Sequence, residues 1–477
     1  MLVAAATAAA LMSWRALRVE PQVAAPHAGP VADVDVAAVA ERLAAVLRFP
    51  TVSHDDPARL DASPFDGLRD HLAQAYPGVH RALRREIVSR HSLLFTWPGQ
   101  DTALEPVLLL AHLDVVPVEE GTASGWTHPP FEGRVAGGFV WGRGALDDKT
   151  SLVAILEAVE YLVGRGFRPR RTVCLAFGHD EEVGGAQGAG RVAALFTSRG
   201  VRIESVLDEG GVVGDGLVPG VARPVALVAV AEKGTARVDL EVEGTGGHGS
   251  MPPMQTSVGV LAAAIARLES SQMPARLEGA SAAFFDAVAG EMPFLPRLLF
   301  ANRWAFEPLL LRRLARVPTT NAFIRTTTAA TMIEGSPKLN VLPARARASL
   351  DFRILQGETV ADVERHVRET VADDRVAVRV SGRNPSAESS ITSRSYAALT
   401  ASIRDALPGA VVAPWLSVGA TDTRHYTAVA RDAYRFVPIA LRAEDVPRAH
   451  GKDERVAVAA LGPAVRFYIG YLERASR

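Results

Sequence analysis

Ionisable side chains follow three apolar runs of the sequence, each at the point where the run ends. They are His112 with Asp114, residues 179–182 (His-Asp-Glu-Glu), and Asp208 with Glu209. Continuous apolar runs are typical of parallel strands covered on both faces, and ligands bind outside the carboxyl ends of such strands. Carboxylates gathered there would repel one another unless a positive charge lay among them. A pair of divalent cations meets that need, because imidazole and carboxylate groups are ligands of Zn²⁺.

The spacing within these groups indicates that some residues bind metal while others orient the ligands or transfer a proton. His112 and Asp114 lie two apart on a strand, so their side chains point to the same side. The carboxylate can then orient the imidazole while the other ring nitrogen binds metal. Of the adjacent Glu181 and Glu182, one can bind metal while the other handles a proton. Taken alone, a His-x-Asp pair is more typical of a surface turn and a Glu-Glu pair of a solvated charge run; here both follow a buried strand.

The elements needed to position these groups are those of an α/β sheet. Residues 149–162 have apolar side chains at helical spacing and lie between the first two strands, and this alternation predicts right-handed crossovers. Further on, residues 236–380 follow the order β-α-β-β-α-β of a split βαβ sandwich, interrupted by residues 271–325. The α/β character returns with a helix at 395–406, apolar segments at 410–418 and 436–441, and a closing helix at 455–473.

The expected domain organisation is therefore a catalytic α/β domain in two sequence halves with a lid inserted between them. We assign the first half to residues 34–228, the lid to 229–383 and the second half to 384–477. A chain of 477 residues is long enough for two cores.

Composition excludes one class of partner. The 52 basic and 53 acidic residues nearly cancel, so the chain lacks the basic excess of a nucleic-acid binder and no nucleic-acid partner is expected. The single cysteine, Cys174, lies in an apolar run and is expected to be buried.

The N-terminus has three interpretations. Residues 1–14 are nearly all small or apolar, and Arg15 and Arg18 follow. This stretch is shorter than the roughly 20 apolar residues that span a bilayer. It is a weak signal or anchor, a signal or anchor truncated by a late start, or an alanine-rich disordered leader. We favour weak membrane association and hence an anchored or exported protein, with a cytoplasmic one as the alternative. Residues 19–33 are expected to form a linker, which makes 1–33 a separate leader.

Five motifs occur in order along the chain: residues 112–114, 142–149, 179–184, 207–210 and 448–454. Together they resemble the aminoacylase/carboxypeptidase family of two-zinc peptidases, and in particular its carboxypeptidase S-like branch, which includes N-acyl amino acid hydrolase/synthases. The resemblance extends from about residue 34 to the end of the chain. It implies a catalytic domain with a mixed, mostly parallel sheet and an α+β lid.

The resemblance also implies a ligand set. Two Zn²⁺ ions are expected, with other divalent cations left open. Asp147 would bridge them, His112 and Asp208 would complete one site, and Glu182 and His450 would complete the other. Asp114 would orient the imidazole of the first site.

By the same resemblance, Glu181 is the general base and the lid supplies further groups. His248 would stabilise the tetrahedral intermediate, Asn340 and Arg353 would hold substrate, and a loop with Gly419 and Thr421 would contact it. Relatives often dimerise through the lid, some placing the lid histidine in the neighbour's cleft, so a homodimer is an open expectation.

The expected function is cleavage, or in reverse formation, of the amide bond of N-acyl amino acids or short peptides. The aromatic residues of 271–325 would line a groove for a long acyl chain, or else form extra core or a dimer face. Two alternatives stay open: a dipeptidase or carboxypeptidase acting on ordinary peptides, and a catalytically silent metal-binding interaction module. The presence of Glu181 beside every expected ligand argues against the silent module.

Overall fold

The computed structural model describes residues 2–23, 32–119 and 121–477. Its strands are β1 Arg84–Val88, β2 Ser92–Trp97, β3 Val107–His112, β4 Arg134–Ala136, β5 Phe139–Trp141, β6 Val173–Gly178, β7 Ile203–Asp208, β8 Val213–Gly214, β9 Val225–Glu232, β10 Gly234–Glu243, β11 Gly247–His248, β12 Thr327–Glu334, β13 Val341–Leu342, β14 Arg345–Ile354, β15 Val376–Arg383, β16 Val411–Ser417, β17 Ala430–Arg435, β18 Ala440–Leu441 and β19 Arg455–Ala457. Its α-helices are α1 Leu2–Leu17, α2 Val36–Leu47, α3 Ser63–Ala75, α4 Pro77–Ala82, α5 Lys149–Gly164, α6 Ala189–Ser198, α7 Ser257–Ser270, α8 Gly279–Val288, α9 Phe294–Ala301, α10 Arg303–Leu314, α11 Pro318–Ile324, α12 Val360–Val371, α13 Arg394–Ala406 and α14 Val458–Ala475.

The catalytic domain is built on one large mixed sheet. Within the described residues its strand order is β1-β2-β6-β3-β7-β17-β9-β8-β18, and β16 pairs with β9. The central pairs β6–β3, β3–β7 and β7–β17 are parallel. Nearly every residue of β3, β6 and β7 is buried, because these apolar strands are covered on both faces. The α/β fold with a mixed, mostly parallel sheet is thereby confirmed.

Helices α2, α5 and α14 cover the sheet next to the strands that carry the ionisable groups. Helix α5 packs against α2, α14 and β3, and its residues Lys149–Val159 are buried almost without interruption. Its first turn begins directly after Asp147 and Asp148. The packing of this helix therefore fixes the end of the loop that carries those two carboxylates.

The lid is a four-stranded antiparallel sheet in the order β12-β14-β10-β15. Strand β10 alternates buried and more exposed residues, and its inward side chains form a separate core with α7 and α12. This is the alternation that a sheet with one wet face requires. The chain order β10, α7, β12, β14, α12, β15 is the β-α-β-β-α-β pattern expected from the sequence.

Helices α8–α11 lie between α7 and β12 in the sequence but do not belong to the lid core. Phe284, Phe285, Phe300 and Phe323 are buried in the core of the catalytic domain, where Phe323 contacts Trp415 of β16 with ring centroids 4.1 Å apart. The assignment of this segment to the lid is therefore corrected, since these aromatic side chains find their apolar partners on the catalytic sheet.

The predicted linker is also corrected where it can be seen. Residues 19–23 run against the catalytic domain: Gln22 donates from Nε2 to the carbonyl oxygen of Val412 at 2.8 Å and accepts from Val412 N at 3.1 Å. Its main-chain N donates to Glu291 at 2.8 Å. Residues 24–31 of the predicted linker, which extends to residue 33, lie outside the described residues.

Helix α1 packs on α9. No helix in the described part of the chain combines the length and apolar character needed to cross a membrane.

Candidate metal centre

The predicted metal ligands converge at the carboxyl ends of the central strands. His112 is the last residue of β3 and is almost fully buried. Its Nδ1 lies 2.9 Å from the carbonyl oxygen of Asp114, and its Nε2 lies 2.9 Å from Oδ1 of Asp147. The main-chain contact turns Nε2 toward the cleft, which is the orientation that a metal-binding histidine needs.

Two groups of possible ligand atoms share Asp147. The first consists of His112, Asp147 and Glu209, and the second of Asp147, Glu182 and His450. In the second group, His450 Nε2 lies 3.0 Å from Asp147 Oδ2 and 3.1 Å from Glu182 Oε2. The two oxygens of Asp147 therefore face different groups, the geometry of a bridging carboxylate.

One predicted ligand is corrected. Asp208 does not join either group; its neighbour Glu209 does, with Oε1 3.7 Å from His112 Nε2. Asp208 Oδ2 instead accepts the N–H of Thr423 at 3.1 Å. Strand β7 ends at Asp208, whose carboxylate faces the Thr423 main chain, and the next residue, Glu209, faces His112.

A buried carboxylate oxygen without a partner indicates that the site suits cations. Glu182 Oε1 is buried and accepts no hydrogen bond from any described residue. Burial and the neighbouring Asp147 raise the pKa of Glu209 well above its usual value. Burial alone would lower the pKa of His112, yet its hydrogen bonds with Asp114 and Asp147 raise that pKa well above the usual value. The donors are imidazole and carboxylate groups, so the residues fit Zn²⁺.

Asp114 connects the first group to the Glu181–Glu182 turn. Its Oδ1 lies 3.4 Å from His112 Nδ1 and accepts the N–H of Glu181 at 3.1 Å, while Oδ2 accepts the N–H of Glu182 at 3.2 Å. Ser53 donates its hydroxyl to Oδ2 at 2.7 Å. One fully buried carboxylate thus positions an imidazole and the turn that carries two further acids.

Glu181 lies on this turn and is not one of the grouped ligand atoms. Burial raises the pKa of its carboxyl to about 8. A carboxyl tuned in this way can exchange a proton near neutral pH, which is the property required of the predicted general base.

A buried ion pair that the sequence analysis missed holds the Asp147 and His450 segments together. Glu454 is fully buried and accepts the N–H groups of Leu146 and Asp147 at 2.7 and 3.2 Å. Its second oxygen bonds Arg143 at 2.6 Å, and Arg143 also donates to the carbonyl oxygen of His450 at 3.0 Å. Arg143 lies in the motif 142–149 and Glu454 in the motif 448–454. Sequence spacing does not predict a contact between residues 311 positions apart.

His450 has a left-handed backbone conformation, with φ 59°. Non-glycine residues adopt this conformation at a cost and keep it only where the surroundings impose it. The bond from Arg143 to its carbonyl oxygen is one such constraint, so the ion pair also supports the half-exposed imidazole of the second group.

One residue of the predicted substrate loop is held by hydrogen bonds inside the protein. Thr421 is buried, and its N–H and hydroxyl both bond Glu232 Oε1 at 2.8 Å. Arg435 lies 3.1 Å from the same carboxylate oxygen. The side chain of Thr421 therefore fixes the loop, and its assignment as a substrate contact is corrected. Gly419 is exposed at the tip, and its carbonyl oxygen accepts the hydroxyl of Ser417 at 3.1 Å.

The predicted lid residues lie on the lid itself and are more exposed. His248 and Asn340 are brought together, because Gly249 N donates to the carbonyl oxygen of Asn340 at 2.9 Å. The exposed His248 ring lies 2.8 Å from the hydroxyl of Ser250 through Nδ1, which leaves Nε2 pointing away from that contact. Arg353 on β14 pairs with Asp351 at 2.9 Å.

An α/β domain that gathers histidine and carboxylate groups at its strand ends, with an inserted α+β lid, is the arrangement expected of a metal-dependent hydrolase. Residues 108–474 match peptidase family M20/M25/M40, and the chain belongs to this family. It is therefore an enzyme with a divalent-metal site.

Two relatives and one solved structure are similar to this chain. The chain is 41% identical over 435 residues to "N-fatty-acyl-amino acid synthase/hydrolase PM20D1.1" of Danio rerio, covering 90% of this chain and 84% of the relative. It is 39% identical over 436 residues to "Probable carboxypeptidase S-like 2" of Dictyostelium discoideum, covering 90% and 83%. The fold is similar to that of the M20 metallo-carboxypeptidase Sso-CP2 of Sulfolobus solfataricus, with a TM-score of 0.66, 20% identity and coverage of 92% and 99%.

Proposed function

We propose that this enzyme hydrolyses, and in reverse forms, the amide bond between an acyl group and the nitrogen of an amino acid, using two Zn²⁺ ions. One observation carries the proposal: two groups of histidine and carboxylate ligand atoms share Asp147, with the buried Glu181 on the adjoining turn. His112 and Glu209 would complete one metal site, and Glu182 and His450 the other.

The bound cations would supply a water whose pKa is lowered from 15.7 toward about 7 and would polarise the amide carbonyl. Glu181 accepts a proton from the attacking water and returns it to the leaving amine, so that the amine departs neutral. Because Asp114 contacts both His112 and the turn that carries Glu181, it holds the two at a fixed relative position.

The lid contributes to substrate binding and to charge stabilisation. His248 donates from its imidazole to the developing oxyanion, while Arg353 and Asn340 bind the carboxylate and carbonyl groups of the amino-acid half. His248 reaches the cleft by lid closure or from a second copy of the chain. The second route is supported by β12, an edge strand with exposed Met332 and Ile333, and light-scattering measurement of the mass in solution tests it.

N-acyl amino acids are preferred over ordinary peptides as substrates because the relative described above acts on N-fatty-acyl amino acids and matches 90% of this chain. A carboxypeptidase on ordinary peptides is the second candidate, supported by the similarity to a carboxypeptidase S-like protein. The buried position of Phe284, Phe285 and Phe300 removes these three side chains from the candidate lining of an acyl groove.

A substrate panel on the zinc-loaded protein tests the proposal. N-acetyl-, N-octanoyl- and N-oleoyl-phenylalanine are compared with alanyl-phenylalanine by the rate at which free phenylalanine appears. We expect kcat/KM to rise with acyl length and to exceed that for the dipeptide. Preference for the dipeptide would favour the carboxypeptidase, and no turnover of any substrate by protein with two bound zinc ions would contradict both.

A further inference from the structure

The N-terminal half of α1 exposes apolar surface that no described part of the chain covers. Residues 3–11, Val-Ala-Ala-Ala-Thr-Ala-Ala-Ala-Leu, are all exposed. Thr7, the one polar side chain among them, returns its hydroxyl to the carbonyl oxygen of Val3 at 2.9 Å. At 1.5 Å per residue, this part of the helix is about 13 Å long. It is apolar on every side.

The other half of α1 is fixed to the body of the protein. The fully buried Asn302 donates from Nδ2 to the carbonyl oxygen of Met12 at 3.0 Å, and Ala16 is fully buried. The chain that follows is anchored by Gln22, whose carbonyl oxygen also accepts from Arg223 at 2.7 Å. The exposed helix therefore has a defined position and is not a loose tail.

Helix α9 packs on both α1 and α10, and α9 and α10 also expose apolar side chains. Trp304 is 63% exposed and Leu295 also 63%, and Phe294 and Leu309 are exposed as well. On α1 itself, Trp14 is 52% exposed. Several large exposed apolar side chains on helices packed together are typical of an interaction site. We call the exposed parts of α1, α9 and α10 the docking surface.

Basic residues accompany this surface. Residues 294–316 contain five arginines and one glutamate, and Arg312, Arg313 and Arg316 are exposed and form no ion pair with any described residue. Directly after α1, the Arg18 guanidinium lies 4.4 Å from the ring centroid of Trp14. Aromatic rings and arginines side by side are typical of the interfacial zone of a membrane.

We propose that the docking surface binds the surface of a phospholipid bilayer that contains anionic lipid. Residues 3–11 enter the acyl region of one leaflet, Trp14 and Trp304 lie at the level of the headgroups, and the arginines contact anionic phosphates. A second copy of the chain is the less favourable occupant, because a symmetric contact would bring the like-charged arginines of both copies together.

Sedimentation with vesicles tests this proposal on the full chain. Phosphatidylcholine vesicles are compared with vesicles containing 30% phosphatidylglycerol as the anionic component, a composition chosen at about the charge needed for a strong surface potential. We expect binding to the anionic vesicles and weaker binding to the neutral ones. Equal recovery in the supernatant with and without either vesicle would overturn the proposal.

Variants on the surface give the sharper result. Arg312→Gln with Arg313→Gln is expected to lower the partition coefficient roughly 30-fold, about fivefold for each charge near an anionic surface. Val3→Asp with Leu11→Asp is expected to abolish binding. The matched control is Ile87→Asp, which places a charge at an exposed apolar side chain of the edge strand β1 and is expected to leave vesicle binding unchanged.

Two further readouts identify the occupant. Brominated phospholipids in the vesicles should quench tryptophan fluorescence, and the quenching should be lost in Trp14→Phe with Trp304→Phe. If the surface variants instead convert a dimer to a monomer while vesicle binding stays the same, the occupant is a second copy and the membrane proposal is wrong.

Discussion

The metal centre and the tip of the lid both carry predicted catalytic residues, but they hold them in opposite ways. Asp114 is fully buried and takes part in four contacts that orient His112 and the Glu181–Glu182 turn. His248 is exposed on a two-residue strand, and among the residues that the structure describes its ring bonds only Ser250, two positions away. The first arrangement is rigid before substrate arrives; the second acquires its partners when the lid closes or a second copy binds.

This contrast separates the two parts of the proposed chemistry. Metal binding and proton transfer depend on groups whose positions the catalytic core already imposes. Stabilisation of the oxyanion depends on His248, which must first be brought to the cleft by lid closure or by a second copy of the chain. Changes at the metal centre should therefore alter zinc content or the chemical step directly, whereas changes at the lid tip should leave zinc content untouched.

The largest effect is expected at Glu181. Glu181→Gln keeps the shape of the side chain and removes its ability to take a proton, so kcat should fall by about 10²–10⁴-fold while zinc content stays at two ions per chain. Steady-state hydrolysis and elemental analysis of the same sample measure both quantities. Glu369→Gln, on the exposed face of α12, is the control, and near-normal turnover of Glu181→Gln would remove Glu181 from the role of base.

A somewhat smaller loss is expected at the lid. His248→Ala removes the donor to the oxyanion, and the loss of one such donor lowers kcat by about 10²–10³-fold. Zinc content and KM for the amino-acid half should change little. Met251→Ala, three residues away and exposed, controls for disturbance of the loop. A loss of zinc in His248→Ala would contradict the separation of the two regions.

Loss of the Arg143–Glu454 ion pair beside the metal centre should lower the affinity for zinc to an intermediate extent and destabilise the fold only modestly. Glu454→Gln breaks the pairing with Arg143 and weakens the hold on the N–H of Asp147, and groups that orient ligands contribute about 10–100-fold to metal affinity. Competition with a chelator measures the zinc dissociation constant.

The neighbouring substitution Asp453→Asn is the control for Glu454→Gln. Asp453 Oδ1 accepts the N–H of Thr127 at 2.6 Å, and an asparagine oxygen can accept the same bond, so zinc affinity should be kept. An unchanged affinity in Glu454→Gln would show that the ion pair does not position the ligands.

The smallest effect is expected at Cys174, inside the rigid region. The thiol is buried and burial raises its pKa to about 12, so the reactive thiolate is scarce at pH 8. The native protein should not be alkylated by iodoacetamide over hours, whereas the urea-denatured protein should react in full; mass spectrometry measures both. Rapid labelling of the native chain would mean that the core opens readily.

The elements that the sequence predicts best are buried strands with continuous apolar runs and helices with apolar residues at helical spacing. Strands β3, β6 and β7 and helix α5 were found from apolar runs and helical spacing, because burial on both faces leaves a continuous apolar signature. The sequence does not predict strand β17; it indicates only an apolar segment at residues 436–441, directly after that strand. Its sequence Ala-Arg-Asp-Ala-Tyr-Arg looks exposed, yet Arg435 is buried against Glu232; such a pairing between distant residues has no local pattern.

The site shows the same limit. The sequence predicts four of the grouped ligands through motifs that a family resemblance brings together: His112, Asp147, Glu182 and His450. The choice between Asp208 and Glu209 depended on which way a side chain turns at the end of a strand, and the pattern alone does not decide that. Arg143 and Glu454 were missed as a pair because their contact depends on the return of the chain after the lid.

The central claim is that two cations share Asp147. The most direct measurement is a crystal structure of the zinc-loaded protein with anomalous diffraction collected at the zinc edge. We expect two anomalous peaks, each with ligand atoms at about 2.0–2.2 Å, with Asp147 contacting both, Glu209 and not Asp208 on the His112 side, and Glu182 and His450 on the other. A single peak, or two peaks of which one lies away from Asp147, would contradict the account.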